Sequence, residues 1–181
     1  SKVAVEAINE FVCMTGGDEE ITWPFGLDES MSYDGNRLKT AVRYANNKVL
    51  ATTQESSEYE GMATTVVAAL VDGQTANIAH VGDSRIYLHR NGDLLQLTSD
   101  HSWVNEQIQG GMLSADQART HPLRNVVTRA LGGRADLDVE RHPLLDHVAA
   151  FHHHADGAFQ VLPLGLGQEA DVTEVHSQHR G

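Results

Sequence analysis

The sequence holds a single cysteine, Cys13, among 181 residues. One thiol excludes an internal disulfide and a cysteine-based zinc knuckle, and so low a cysteine content favours a reducing, cytoplasmic setting. Cys13 falls at the end of the first helix, where a small buried hydrophobe is expected. Positive charge is scarce too: 13 basic side chains against 25 acidic ones give a net charge of −12. That excess repels phosphate backbones and argues against nucleic-acid binding. No window reaches the roughly 18 uninterrupted apolar residues of a membrane-spanning helix, so no membrane partner is expected. The opening Ser1-Lys2-Val3-Ala4-Val5-Glu6 mixes charge into its apolar stretch, unlike a secretory leader. At roughly 100–200 residues per domain, the length suits one domain with a core of its own.

What is present is unevenly spread. Seven of the 11 histidines (His142, His147, His152, His153, His154, His176 and His179) lie in the last 40 residues, and all three lysines lie in the first 48. Residues 1–141 carry 12 basic and 20 acidic side chains, and residues 142–181 carry one against five. The expected division is therefore a segment 1–141 and an atypical, His-rich continuation 142–181.

Val3, Ala7, Ile8 and Phe11 recur at helical spacing behind Ser1, so the chain opens on a helix. Residues 15–33 read as a loop. Asp34 or Asn36 is then placed to cap a second helix, with Leu38, Ala41, Val42, Ala45, Val49 and Leu50 on one face. Past Gly61 the period changes. Met62 to Val71 and Thr75 to Val81 read as strands around an Asp72-Gly73 turn, and both are apolar on two faces, which predicts a central, covered position. Ile86 to Leu88 and Leu94 to Leu97 follow as a third and fourth strand around Asn91-Gly92. Two helices ahead of antiparallel strands predict an α+β layered fold.

Gly82-Asp83-Ser84-Arg85 stands where one buried strand ends and the next begins. A strand-end carboxylate beside a glycine suits a hard cation, which takes oxygen ligands at fixed positions. The competing reading is a turn in which Asp83 caps its own backbone and Arg85 makes a local ion pair. Asp100-His101-Ser102 reads as a helix start, capped by Asp100 or Ser102 with Glu106 a turn later. An oriented Asp100–His101 acid–base pair is its competing reading. Residues 103–122 predict two short helices with a break, and Asn125 to Gly132 an amphipathic helix ended by Gly132-Gly133. His152-His153-His154 makes a poor metal constellation, because neighbours on a strand point to opposite faces, and the segment reads as solvated tail.

Taken in order, Gly61-Met62-Ala63-Thr64-Thr65, Ala79 to Arg85, Leu97 to Ser102 and Asn125 to Gly132 form a set. Over about residues 1–141 that set resembles the metal-dependent protein serine/threonine phosphatases (PP2C-like, or PPM) in their bacterial form. The resemblance implies a four-layer αββα sandwich, here partial, of antiparallel sheets flanked by helices. It implies Mn²⁺ or Mg²⁺ as cofactor, a metal-activated water that attacks phosphoserine and phosphothreonine, and phosphorylated protein substrates of a bacterial serine/threonine kinase. Asp83 matches the family aspartate that contributes to a third metal, and residues 102–124 match a flap beside the active site. The first acidic ligand, a phosphate-holding arginine and an Asp-Gly-x-Gly-Gly segment lie upstream of the helix at Ser1 in the family. The chain alone is therefore expected to be inactive, with a non-catalytic fragment or pseudophosphatase acting as a binding module as the alternative function. In His154-Ala155-Asp156-Gly157-Ala158, Asp156 with Gly157 stands about where the family places a Ser-Asp-Gly metal ligand.

Overall fold

The computed structural model describes residues 1–16, 23–72, 75–90, 93–146, 151–154 and 158–163. Helix α1 (Lys2–Met14) buries Ala4, Ala7, Ile8 and Val12 on one face. Cys13 lies about 100° around the helix from Val12. It is exposed rather than buried, with its thiol directed to Asn9 Oδ1 at 3.6 Å.

Helix α2 (Tyr33–Glu55) buries Leu38, Ala41, Val42, Ala45 and Val49 as its period requires, while Leu50 is half-buried. Its cap is Ser32, whose Oγ accepts the Gly35 N–H at 3.0 Å, not Asp34 or Asn36. Those two are engaged elsewhere: Asp34 pairs with Arg37 at 2.7 Å, and Asn36 holds both backbone groups of Asp28. The buried Arg37 also donates to Val12 O at 2.7 Å, tying the end of α1 to α2.

Among the described residues, seven strands form two sheets. The first, in the order β5-β2-β1-β7, contains β1 (Val66–Asp72), β2 (Thr75–Val81), β5 (Glu140–Asp146) and β7 (Ala158–Pro163). The second, β4-β3-β6, contains β3 (Arg85–Arg90), β4 (Asp93–Gln96) and β6 (Phe151–His154). β1 and β2 occupy the two central positions that their two-sided apolarity requires. Period-two alternation then separates two cores. Val66, Ala68, Leu70, Ala79 and Val81 pack under α1 and α2, and Val67, Ala69 and Ile78 pack against Ile86 and Leu88 of the second sheet and Leu97 just past β4. Helices α1 and α2, the first sheet and the second sheet are thus three successive layers. Among the described residues no helix is long and apolar enough to cross a membrane.

Three sequence expectations change. β7 runs parallel to β1, so the sheets are not wholly antiparallel. β6 precedes β7 and lies in the other sheet, so β7 reaches the β1 edge by crossing between sheets, and no hairpin dictates its direction. His152 to His154 do not form a free tail: their backbone is in β6, in register with Tyr87, Ile86 and Arg85. Asn125 to Gly132 is not helical. Ser102 pairs with Val127 and Thr64 with Leu131 as isolated bridges, and the Thr128 N–H bonds His101 O at 2.8 Å. Valine and threonine at 126–128 favour extended backbone, and partners on neighbouring loops take up the polar groups that a helix would use internally. Upstream of that segment, α3 (Trp103–Gln109) and α4 (Ala115–Thr120) are the two short helices expected, capped by Ser102 and by a Ser114–Gln117 capping box.

Candidate metal site

The site is built where β2 ends. Val81 is fully buried, and the next residue, Gly82, has φ of 110°. A Cβ at Gly82 would lie 2.3 Å from Thr65 Cγ2, so only glycine lets the backbone pass there. Thr65 Oγ1 and Ser84 Oγ are 2.8 Å apart and fasten the far side of the turn. Asp83 sits between these fixed points. It is half-buried, and among the described residues no hydrogen bond or ion pair engages its carboxylate.

His101 holds the same turn from the other side. Its backbone N–H donates to Gly82 O at 2.9 Å, and its Nδ1 accepts the Gly82 N–H at 3.0 Å. An acceptor at Nδ1 places the imidazole proton on Nε2, which donates to Glu140 Oε2 at 2.8 Å. Glu140 arrives there because it lies across from His80 in the β2–β5 ladder. His80 stacks on His101, with ring centres 4.7 Å apart and planes inclined by 20°, and its Nε2 donates to Ser99 O at 2.9 Å. Burial pushes the His80 pKa below its ordinary 6.5, outweighing the raising effect of the Ser99 bond. The Arg129 guanidinium stands at the rim, 3.4 Å from His101 Nε2 and 4.0 Å from Glu140.

The loop that carries His101 is itself braced. Asp100 does not pair with His101; it takes Arg85 in two bonds of 2.7 and 2.6 Å. The ion pair expected for Arg85 therefore exists, but it spans 15 residues. Asn105 and Gln109 of α3 reach back to Ser99 Oγ at 3.1 and 2.8 Å. Asn105 also donates to Asp100 O at 2.7 Å.

Two places on this edge invite a cation, and their chemistry differs. The ligand atoms of His80, His101 and Glu140 lie within 4.8 Å of one another. Hydrogen bonds, however, use both nitrogens of His101 and Nε2 of His80, and nearly parallel stacked rings cannot aim in-plane lone pairs at one ion. Nor do two imidazoles suit Mg²⁺, a hard oxygen-seeking ion. This cluster does not fit the Mn²⁺ or Mg²⁺ that the resemblance implies. Asp83 does: a carboxylate that no described residue engages, on a turn fixed on both sides, is a suitable oxygen ligand for such an ion.

The profile described as protein phosphatase 2C matches residues 24–156. The chain belongs to the protein phosphatase 2C family. Its similarity to the serine/threonine protein phosphatase PstP of Mycobacterium tuberculosis is 38% identity over 97 residues, covering 54% of this chain and 19% of that protein. The serine/threonine phosphatase Stp of Listeria monocytogenes is 38% identical over 103 residues, covering 57% of this chain and 41% of that protein. The crystal structure of the M. tuberculosis phosphatase PstP/Ppp superposes with a TM-score of 0.63 at 29% identity, over 83% of this chain and 59% of that one. A second structure, the PstP catalytic domain in complex with two manganese ions, superposes at a TM-score of 0.59 with 26% identity, covering 83% and 58%. The chain thus spans less than two thirds of the relatives it matches.

Of the residues expected at a metal site in a chain of this family, Asp83 stands on the braced turn, and Asp156 and Gly157 lie outside the described residues. The Gly82-Asp83 and Asp100-His101 motifs, read separately in the sequence, are brought together through Gly82 and His101. Sequence reasoning missed Glu140, His80 and Arg129 as parts of this edge. His80 had one available signal, a histidine on an otherwise apolar strand two residues before Gly82. Glu140 had none, because its place depends on the pairing of β5 with β2.

Proposed function

We propose that this chain forms part of a metal-dependent phosphatase that hydrolyses phosphoserine and phosphothreonine esters on proteins. The observation that carries this reading is the Gly82-Asp83 turn, braced by Thr65–Ser84 and by His101, with a carboxylate that no described residue engages, in a chain of this family. Asp83 would hold a Mn²⁺ or Mg²⁺ ion, and we propose Asp156 with Gly157 as a second contributor. When bound, such an ion lowers the pKa of water toward neutrality. The chain's own residues keep Asp83 in place: Gly82 removes the steric barrier to the turn, and His101 and Ser84 fix its two ends. Segment 102–124, two short helices joined to the His101 loop, would shape access for a phosphorylated side chain. The substrates would be targets of a bacterial serine/threonine kinase, and the setting cytoplasmic.

Residues 1–141 would then be one part of the phosphatase domain and 142–181 its atypical continuation. Asp83 and Asp156 would supply two carboxylates, and a site for two ions needs more. We therefore read the 181-residue chain by itself as inactive, a binding module at most. The test is phosphate release from phosphothreonine and phosphotyrosine peptides, with Mn²⁺ and with EDTA, by the full-length protein and by this chain alone. Phosphothreonine-selective, EDTA-sensitive release by the full-length protein only is the expected result. Release that is indifferent to EDTA would overturn the metal-dependent reading. Release by the isolated chain at the full-length rate would overturn its inactivity.

A further inference from the structure

Resting on the reading of Asp83 as a metal ligand, we propose that His101 is the positioning residue of that ligand. It would act through the hydrogen bond its Nδ1 accepts from Gly82. Gly82 creates the need for such a residue. A residue at φ of 110° gains flexibility together with freedom of shape, so the peptide that carries Asp83 needs an external restraint. His101 restrains it twice, by its backbone N–H on Gly82 O at 2.9 Å and by its imidazole on the Gly82 N–H at 3.0 Å. The imidazole is placed by what lies behind it. Glu140 Oε2 accepts the Nε2–H hydrogen bond at 2.8 Å and so secures the tautomer in which Nδ1 is an acceptor. The buried His80 ring supports its face, and Thr128 bonds its carbonyl at 2.8 Å. A chain of contacts therefore runs from Glu140 through His101 to the peptide next to Asp83, and none of its members needs to touch the metal.

Two near-isosteric substitutions divide the imidazole in half. The amide oxygen of asparagine falls where Nδ1 stands, so His101→Asn keeps an acceptor for Gly82 and loses Glu140. The amide nitrogen of glutamine falls where Nε2 stands, so His101→Gln keeps a donor for Glu140 and loses the bond to Gly82. Both remove the same ring from the same buried place, so a purely structural role would affect them alike. The experiment is Mn²⁺ titration of the full-length protein, with free Mn²⁺ followed by electron paramagnetic resonance and fold checked by circular dichroism. Wild type, both variants and Asp83→Ala are compared. We expect His101→Gln to weaken the class of Mn²⁺ site that Asp83→Ala weakens, by about tenfold, and His101→Asn to stay within about twofold of wild type. Equal losses in the two His101 variants, or no loss in either while Asp83→Ala still weakens binding, would overturn the positioning role and leave Asp83 as a ligand. Unchanged binding in Asp83→Ala would overturn both.

Discussion

At the scale of single residues, the edge beside β2 is governed by where protons sit. His80 is buried and donates Nε2–H to Ser99 O, and burial holds its pKa below 6.5 in the folded chain. The unfolded chain, with the ordinary value, binds that proton first as the pH falls. The unfolded state is then the more protonated one, so stability rises with pH across this window. The contribution is complete above about pH 6.5 and is lost progressively below it, down to the folded pKa. His80→Gln retains a donor near Ser99 without a titrating ring. Between about pH 7.5 and about pH 5.5, the urea midpoint of the variant should therefore fall less than that of wild type. Equal falls would show that His80 does not carry this dependence. Composition gave no hint of it, because the histidines that dominate the count lie at the other end of the chain. Cys13 shows the converse error: its residue type suggested burial, and one further step around the helix put it in solvent.

At the scale of elements, segments whose own pattern decides their form were legible in the sequence, and those set by partners were not. α1, α2 and the central strands carry periods of apolar residues, and the structure places them as those periods require. Residues 125–132 were misread because their conformation follows from bridges to Thr64 and Ser102 and from the turn at Gly132. That turn is held from a distance. Asn46 of α2, almost fully buried, accepts the Gly132 N–H and donates to Arg134 O, both at 2.9 Å. A Cβ at Gly132 would lie 2.6 Å from Met62 O, so the loop passes as close to the segment ahead of β1 as the backbone allows. Asn46→Ala removes both bonds and strands the loop's polar groups, at a cost of about 2 kcal/mol. Chemical denaturation measures this directly, and a loss under about 0.5 kcal/mol would mean that the loop is held by other contacts.

At the scale of the whole molecule, the family assignment and the layered architecture agree. Helices α1 and α2 cover one sheet, the second sheet covers the other face, and the Gly82-Asp83 turn emerges where the two sheets meet at the end of β2. Four short motifs, each ambiguous alone, supported the same architecture because their order along the chain matches the order in which it is built. The proposed metal edge was legible only as one aspartate. Its bracing depends on strand register and on a loop that returns from α3, neither of which local sequence specifies. The net charge of −12 is compatible with a divalent cation but does not locate it. The proposed place at Asp83 rests on hydrogen-bond geometry: the histidine–glutamate cluster is occupied by its own bonds, and among the described residues none engages Asp83. Diffraction from crystals of the full-length protein grown with Mn²⁺, collected at the manganese absorption edge, puts this to the most direct test. An anomalous peak is expected beside the Asp83 carboxylate and none among His80, His101 and Glu140; a peak within that cluster, with nothing at Asp83, would overturn Asp83 as the metal ligand.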